Sequence, residues 1–154
     1  MKRPQIKIPL TKLDYALELV SLLSVLGTIL LFIVFWSNHE DKAVCIFLLI
    51  ISIFTYLGMT ALSRLPHILN FPVNVSEENA FILCKLAIRM LRWTKLFVCL
   101  MFADIIWQIA VYKHNLISIS LYFFLGGMAI CFIYYILKMT KITNSQQYHR
   151  HTNH

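Results

Sequence analysis

The chain has 154 residues, of which 59% are hydrophobic and 14% are charged, and its formal net charge is +7 at pH 7. A soluble domain of this size needs a more polar shell, so the composition excludes a soluble globular protein and indicates a single membrane domain. The positive charge does not predict nucleic-acid binding, because the basic residues cluster at the ends of apolar runs and form no continuous basic surface.

Four apolar runs are long enough to cross a membrane, since about 20 helical residues span roughly 30 Å of hydrocarbon. They cover residues 13–36, 43–62, 93–112 and 116–137. All lysines and arginines except Lys42 and Lys113 precede the first run, follow the fourth, or lie around the connection between the second and third. This pattern predicts an all-α integral membrane protein with four transmembrane helices and both termini in the cytoplasm.

The first span carries a stripe of polar side chains at helical spacing, formed by Asp14, Glu18, Ser21, Ser24 and Thr28. Because carboxylates and hydroxyls are costly against lipid, the stripe is expected to face other helices. The short connection that follows predicts an antiparallel hairpin with the second span. There Gly58 is expected to permit close approach of two helix backbones.

The longest connection, residues 63–92, is predicted to lie in the cytoplasm. Its first part is a proline-containing elbow, because proline lacks a backbone donor and biases the preceding residue away from helix. The candidate site residues of this elbow are Pro66, His67, Asn70, Pro72, Ser76, Glu77 and Asn79. Ser76 is the expected N-cap of an amphipathic helix that lies at the membrane surface before the third span.

That helix carries Lys85, Arg89 and Arg92 on roughly one face. These side chains are expected to contact lipid head groups or a partner protein. The alternative is one long helix that protrudes into the cytoplasm, whose wide apolar face would then need another protein surface.

The third span contains Asp104 near its middle, with Gln108 one turn later. An ionised carboxylate at the bilayer centre costs about 2.5–3.5 kcal/mol on insertion scales. No basic residue is expected at the same membrane depth as Asp104. Two interpretations of this residue stay open. In one, a protonated carboxyl bonds to Gln108 or to a hydroxyl of a neighbouring span. In the other, Asp104 binds and releases a proton or cation, and Glu18 completes its polar site.

The remaining segments predict no enzymatic site. The polar tail, residues 140–154, is expected to be flexible, and its histidines are interpreted as a solvated end and not as metal ligands. No catalytic triad, metal-ligand spacing or phosphate-binding loop is predicted anywhere, and no cofactor is expected.

The elbow nevertheless contains a motif, Pro66-His67, then Asn70-Phe71-Pro72-Val73, then Val75-Ser76-Glu77-Glu78-Asn79-Ala80. It resembles the segment after the second span in bacterial membrane proteins of domain-of-unknown-function family 1648, where a basic helix and a third span follow. The family's outer loop with Pro, Gly and His is absent here, because the corresponding loop is only residues 37–42. The resemblance implies a bacterial plasma-membrane protein, and some relatives carry this domain in immunity factors against a membrane-active toxin.

The predicted function is that of a small non-enzymatic accessory, regulatory or immunity-type protein of the plasma (inner) membrane. It would act through contact with lipid, with a membrane-protein partner or with a second copy of itself. The alternative is a small proton- or cation-coupled transporter that uses Asp104. A lipid-modifying enzyme is a third hypothesis, which would need polar side chains converging at one depth.

Overall fold

The computed structural model describes residues 11–36, 42–65, 80–112 and 119–152, with side chains at 11–36, 42–65, 80–109 and 120–145. These residues form four helices. Their bounds are α1 Lys12–Val34, α2 Lys42–Arg64, α3 Ala80–Tyr112 and α4 Ile119–Thr152. The predicted all-helical class is confirmed for the described chain.

Three helical segments are long and apolar enough to cross a membrane, namely Lys12–Val34, Lys42–Arg64 and Ser120–Ser145. The described part of α3 is not among them. It differs because it carries four cations and Asp104 along its length. The partners of those charges therefore determine whether α3 can lie in an apolar environment.

Helix α3 is continuous over 33 residues. The sequence predicted a surface helix before the third span and left open whether the two are continuous. No glycine or proline interrupts residues 80–112, so no residue in this range favours a break. Apolar side chains of its first half pack against α4. A single continuous helix is thus one of the outcomes that the sequence left open, and α4 of the same chain covers part of its apolar face.

Helix α4 provides that cover, because it continues to Thr152. The backbone of residues 140–152 is therefore helical, although flexibility was predicted for residues 140–154. The core between α3 and α4 consists of Leu83, Leu86, Ala87, Tyr135 and Met139, bordered by Met90, Trp93, Cys131 and Ile142. We call residues 80–88 with residues 135–152 the α3–α4 extension.

Helix α3 is the centre of the fold, since it packs against α1, α2 and α4, whereas α4 packs mainly against α3. Glu18 contacts Lys95 towards one end of α1, and the Phe35 and Trp107 rings meet edge to face at 5.7 Å at the other. Helices α1 and α3 are therefore parallel. The short connections after α1 and α3 make α2 and α4 antiparallel to their predecessors.

The polar stripe of α1 faces the other helices, as predicted. The buried residues of this helix are Asp14, Leu17, Ser21, Val25 and Thr28. Ser21 Oγ donates to the Leu17 carbonyl at 2.6 Å, and Thr28 Oγ1 donates to the Ser24 carbonyl at 2.8 Å. These bonds satisfy the hydroxyls within their own helix, so they need no partner on α2 or α3.

Close packing at a glycine occurs on α4 and not on α2. A Cβ atom at Gly127 would lie 2.9 Å from Phe97 Cε1, so the absent side chain admits this ring. A Cβ atom at Gly58 would meet nothing within 4 Å, and the prediction of a close approach there is wrong within this chain.

Candidate functional site

Five charged side chains from two helices meet at one end of the α1–α3 interface. They are Asp14 and Glu18 of α1 with Arg89, Arg92 and Lys95 of α3, and we call them the ion cluster. Residues three or four apart on a helix share a face. Because α1 and α3 are parallel, the acidic series and the basic series run side by side in matching order.

Asp14 links the start of α1 to α3. Its Oδ2 accepts bonds from the backbone N–H of Thr11 at 2.8 Å and from the Thr11 hydroxyl at 2.7 Å. Its Oδ1 lies 2.8 Å from Arg92 Nη1 and 3.5 Å from Arg89 Nε. Arg89 Nη2 also donates to Thr11 Oγ1 at 3.2 Å. One carboxylate therefore fixes the first turn of α1 and holds two cations of α3.

Lys95 is the most enclosed charge of the cluster, with 1% of its surface exposed. Its ammonium contacts Glu18 Oε2, donates to Thr60 Oγ1 at 3.1 Å, and lies 4.8 Å from the centroid of the Tyr56 ring. Removing an ammonium from water costs several kcal/mol, which the carboxylate, hydroxyl and aromatic ring offset together. A single side chain of α3 thus joins α1 and α2.

Arg92 lies between the two acids and is also buried. Besides its contact with Asp14, its Nε is 3.4 Å from Glu18 Oε1 without hydrogen-bond geometry, so this second contact is electrostatic. Three cations facing two carboxylates leave one surplus positive charge. The surplus falls on Arg89, since it has the longest ion pair and 24% of its side chain is exposed.

These contacts differ from the predicted roles of the same residues. Arg89 and Arg92 were expected to contact head groups or a partner, but the structure places both against α1. The expected absence of a basic partner concerned Asp104, and no partner was predicted for Glu18, which the structure pairs with Lys95. Lys95, its partner, was not predicted as a site residue. The sequence feature that could have indicated Lys95 is its spacing. Asp14 and Glu18 are four residues apart on one helix, and Arg89, Arg92 and Lys95 are three residues apart on another.

Asp104 belongs to a different group from Glu18, contrary to expectation. Lys95 and Asp104 are nine residues apart on α3, which is about 14 Å along the axis. Asp104 Oδ2 accepts bonds from Gln108 Nε2 and from Ser120 Oγ, each at 2.6 Å. Gln108 Nε2 is also 2.8 Å from Ser120 Oγ. The hydrogen-bonding pattern is therefore the one expected for a structural carboxyl.

Ser120 also changes where Asp104 lies in the fold. It is the second residue of α4 as described, so the Asp104 carboxyl lies beside the first turn of that helix. The free N–H groups and the dipole of a helix start favour a negative charge. The Asp104 carboxyl therefore joins α3 to the first described turn of α4.

Other predicted site residues are not brought into either group. Those of the elbow, Pro66, His67, Asn70, Pro72, Ser76, Glu77 and Asn79, lie outside the described residues. Lys85 is half-buried on the α3–α4 extension and makes no ion pair within the described part of the chain. Among the described side chains, no three His, Cys, Asp or Glu residues are grouped so as to hold a metal ion.

Comparison of the chain with protein-family models, with curated proteins and with solved structures finds no match. The resemblance of residues 66–80 to family 1648 therefore stays a prediction.

The burial of Lys95 generates a test of the ion cluster. We expect Lys95→Met to lower the free energy of unfolding by about 1–3 kcal/mol, because it leaves the half-buried Glu18 carboxylate with only its weaker contact to Arg92. Lys138→Met is the matched control on an exposed side chain, with an expected change within about 0.5 kcal/mol. Unfolding of the purified protein in detergent measures both.

A second variant separates loss of the ion pair from loss of the lysine itself. Lys95→Met combined with Glu18→Leu replaces the pair by apolar side chains and should recover most of the lost stability. Equal stabilities of the Lys95→Met and Lys138→Met proteins would show that the buried pair does not hold the fold.

Proposed function

We propose that the protein is a four-span integral protein of the plasma (inner) membrane with both termini in the cytoplasm. The three apolar helical segments support this, and so does the distribution of basic residues around the connections. Helix α3 is proposed as the remaining span. Burial of Arg92 and Lys95 against carboxylates supports that assignment, because paired charges enter a membrane at lower cost than free ones.

We infer that the protein is non-enzymatic and acts as an accessory, regulatory or immunity-type protein by binding a membrane-protein partner. The observation that carries this proposal is the length of the α3–α4 pair. Helices α3 and α4 have 33 and 34 residues, about 50 Å each at 1.5 Å per residue, against roughly 30 Å of hydrocarbon. Helices α1 and α2 have 23 residues each, or about 35 Å.

The α3–α4 extension therefore offers a surface that α1 and α2 do not cover. On its α4 side, Tyr135 and Met139 face α3, whereas Tyr134 and Leu137 are 55% and 62% exposed. Lys138 is exposed beside them, with its Nζ 5.6 Å from the centroid of the Tyr134 ring. An exposed aromatic and aliphatic pair next to a cation fits an apolar partner surface with an acidic rim.

The partner proposal is tested by a photo-crosslinking amino acid placed at Leu137 on the extension. Phe54 is the control position, because it is 71% exposed and lies on α2, far from the extension. In native membranes we expect one adduct of defined mass from position 137 and none of that mass from position 54. Lys138→Glu should reduce its yield. No defined adduct from position 137, or the same adduct from both positions, would contradict the proposal.

Proton- or cation-coupled transport is a second candidate, and one observation favours it. Both donors to Asp104 bind Oδ2, and among the described residues no donor contacts Oδ1. The side chain is half-buried at the seam between α3 and α4. A proton or a monovalent cation could therefore reach the second oxygen.

Under this candidate function, Asp104→Asn should abolish proton or cation flux in reconstituted vesicles, because it removes the titratable group and keeps an oxygen acceptor. Ser120→Ala is the comparison variant, since it removes one donor to Oδ2 and retains the carboxylate. Flux of Asp104→Asn at the rate of the unaltered protein, with the fold intact, would exclude transport through this residue.

A further inference from the structure

One side of α4 carries a narrow stripe of exposed residues that α3 does not cover. Its members, three or four positions apart on one helix face, are Tyr122, Gly126, Ala129 and Ile133. We call them the α4 stripe. The residues of α4 that contact α3, among them Ser120, Gly127 and Tyr135, lie on the opposite side of the helix. The bulky residues Tyr122 and Ile133 are 71% and 58% exposed.

The α4 stripe is distinct from the partner surface proposed on the α3–α4 extension. That surface includes Tyr134 and Lys138, which are four residues apart and share another side of α4. No charged residue occurs between Ser120 and Leu137. Two copies of the stripe can therefore approach each other without the like-charge repulsion that two Lys138 side chains would meet.

The order of side-chain sizes along the stripe fits a pair of crossing helices. Gly126 and Ala129 are the small residues in the middle, and Tyr122 and Ile133 are the bulky residues at the ends. Two crossing helices are closest at one point and separate towards both ends. Small residues at that point let the backbones approach, and such close packing drives helix association in a membrane. The stripe is therefore shaped for another helix, whereas contact with lipid needs no such order.

The neighbouring glycine shows what this helix admits at such a position. A Cβ atom at Gly127 would lie 2.9 Å from Phe97 Cε1, because the ring of α3 occupies that space. A Cβ atom at Gly126 would meet nothing within 4 Å. One glycine of the pair thus serves packing inside the chain, and the other leaves a notch on the exposed side.

Tyr122 also lies deep in the proposed membrane. It is two residues, or about 3 Å along the axis, from Ser120, which bonds to Asp104 near the middle of the predicted third span. Tyrosine is favoured at membrane interfaces, where its hydroxyl meets water, and a hydroxyl in hydrocarbon lacks such a partner. Because Tyr122 faces away from α3, that helix offers its hydroxyl no partner either.

We propose that two copies of the chain pack against each other along the α4 stripe within the membrane. Copies in one membrane have the same orientation, so a two-fold axis along the membrane normal sets each stripe residue against its own equivalent. Gly126 and Ala129 then lie at the closest approach. The two Tyr122 hydroxyls can bond to each other, since a phenol both donates and accepts. This dimer deepens the proposed contact function by assigning the surface for a second copy, and it rests on the membrane location proposed there.

The experiment uses the purified full chain, labelled with one fluorophore at its C terminus, in vesicles of phosphatidylethanolamine and phosphatidylglycerol. Photobleaching steps of single molecules are counted over a dilution series of protein in lipid. We expect the unaltered protein to bleach in two steps at ratios where Gly126→Leu bleaches in one. Gly58→Leu is the matched control, because a Cβ atom there also meets nothing within 4 Å and the residue lies on α2.

Tyr122→Phe separates the hydroxyl from the shape of the stripe. It should raise the dissociation constant of the dimer about threefold, the size of one interhelical hydrogen bond in a membrane. A photo-crosslinking amino acid at Ile133 should give a product of twice the chain mass in the same vesicles, and one at Phe54 should not.

One-step bleaching of the unaltered protein at every dilution would overturn the dimer and leave lipid as the cover of the stripe. Equal effects of Gly126→Leu and Gly58→Leu, or no two-chain product from Ile133, would overturn the assigned surface. An unchanged dissociation constant for Tyr122→Phe would overturn the hydroxyl contact. A protein that inserts in the vesicles and stays monomeric contradicts the dimer alone, whereas a protein that does not insert contradicts the membrane location.

The crosslinking from Leu137 in native membranes is read separately, because it reports the partner of the extension.

Discussion

The buried ammonium group of Lys95 is the constraint on which the arrangement of the first three helices depends. At 1% exposure it has no water to solvate it, so its charge is stable only while Glu18, Thr60 and Tyr56 surround it. Those partners come from α1 and α2. A displacement of either helix by one turn would leave an unpaired charge in an apolar interior, so the cluster selects one register among the helix packings that apolar contacts allow.

At two levels of α3, charged groups hold a neighbouring helix at its first described turn. Asp14 accepts bonds from Thr11 at the start of α1 while it binds Arg92. Asp104 accepts a bond from Ser120 at the start of α4. In both places a carboxyl group accepts a hydrogen bond at the first described turn of a helix. The acids with described side chains thus hold helices together.

Helix formation and the apolar segments could be predicted from the sequence because each depends on composition within a short window. The orientation of the polar stripe of α1 towards other helices could be predicted for the same reason, because the spacing of its residues is visible within one helix. Ion pairs that join residues 74–78 positions apart could not be predicted this way. The acids of α1 and the cations of α3 were each interpreted alone, and only the parallel packing of the two helices aligns them.

The extension was missed for a related physical reason. An apolar helix face can be covered equally by a membrane surface or by another helix, and Leu83, Leu86 and Ala87 fit either. What decides between the two is that α4 continues past the membrane-spanning length and places Tyr135 and Met139 against them. The helix content of the tail depends on this packing as well, because its own sequence is polar and predicts little structure.

The distance between Lys95 Nζ and the Glu18 carboxyl carbon in a lipid bilayer tests the ion cluster most directly. Solid-state NMR can measure it on protein labelled with ¹⁵N at lysine Nζ and ¹³C at glutamate carboxyls. A buried ion pair places the two groups within about 4 Å, giving strong dipolar dephasing that disappears in Lys95→Met. Absence of dephasing in the unaltered protein, or dephasing that persists in the Lys95→Met protein, would show that α1 and α3 are not joined by this pair.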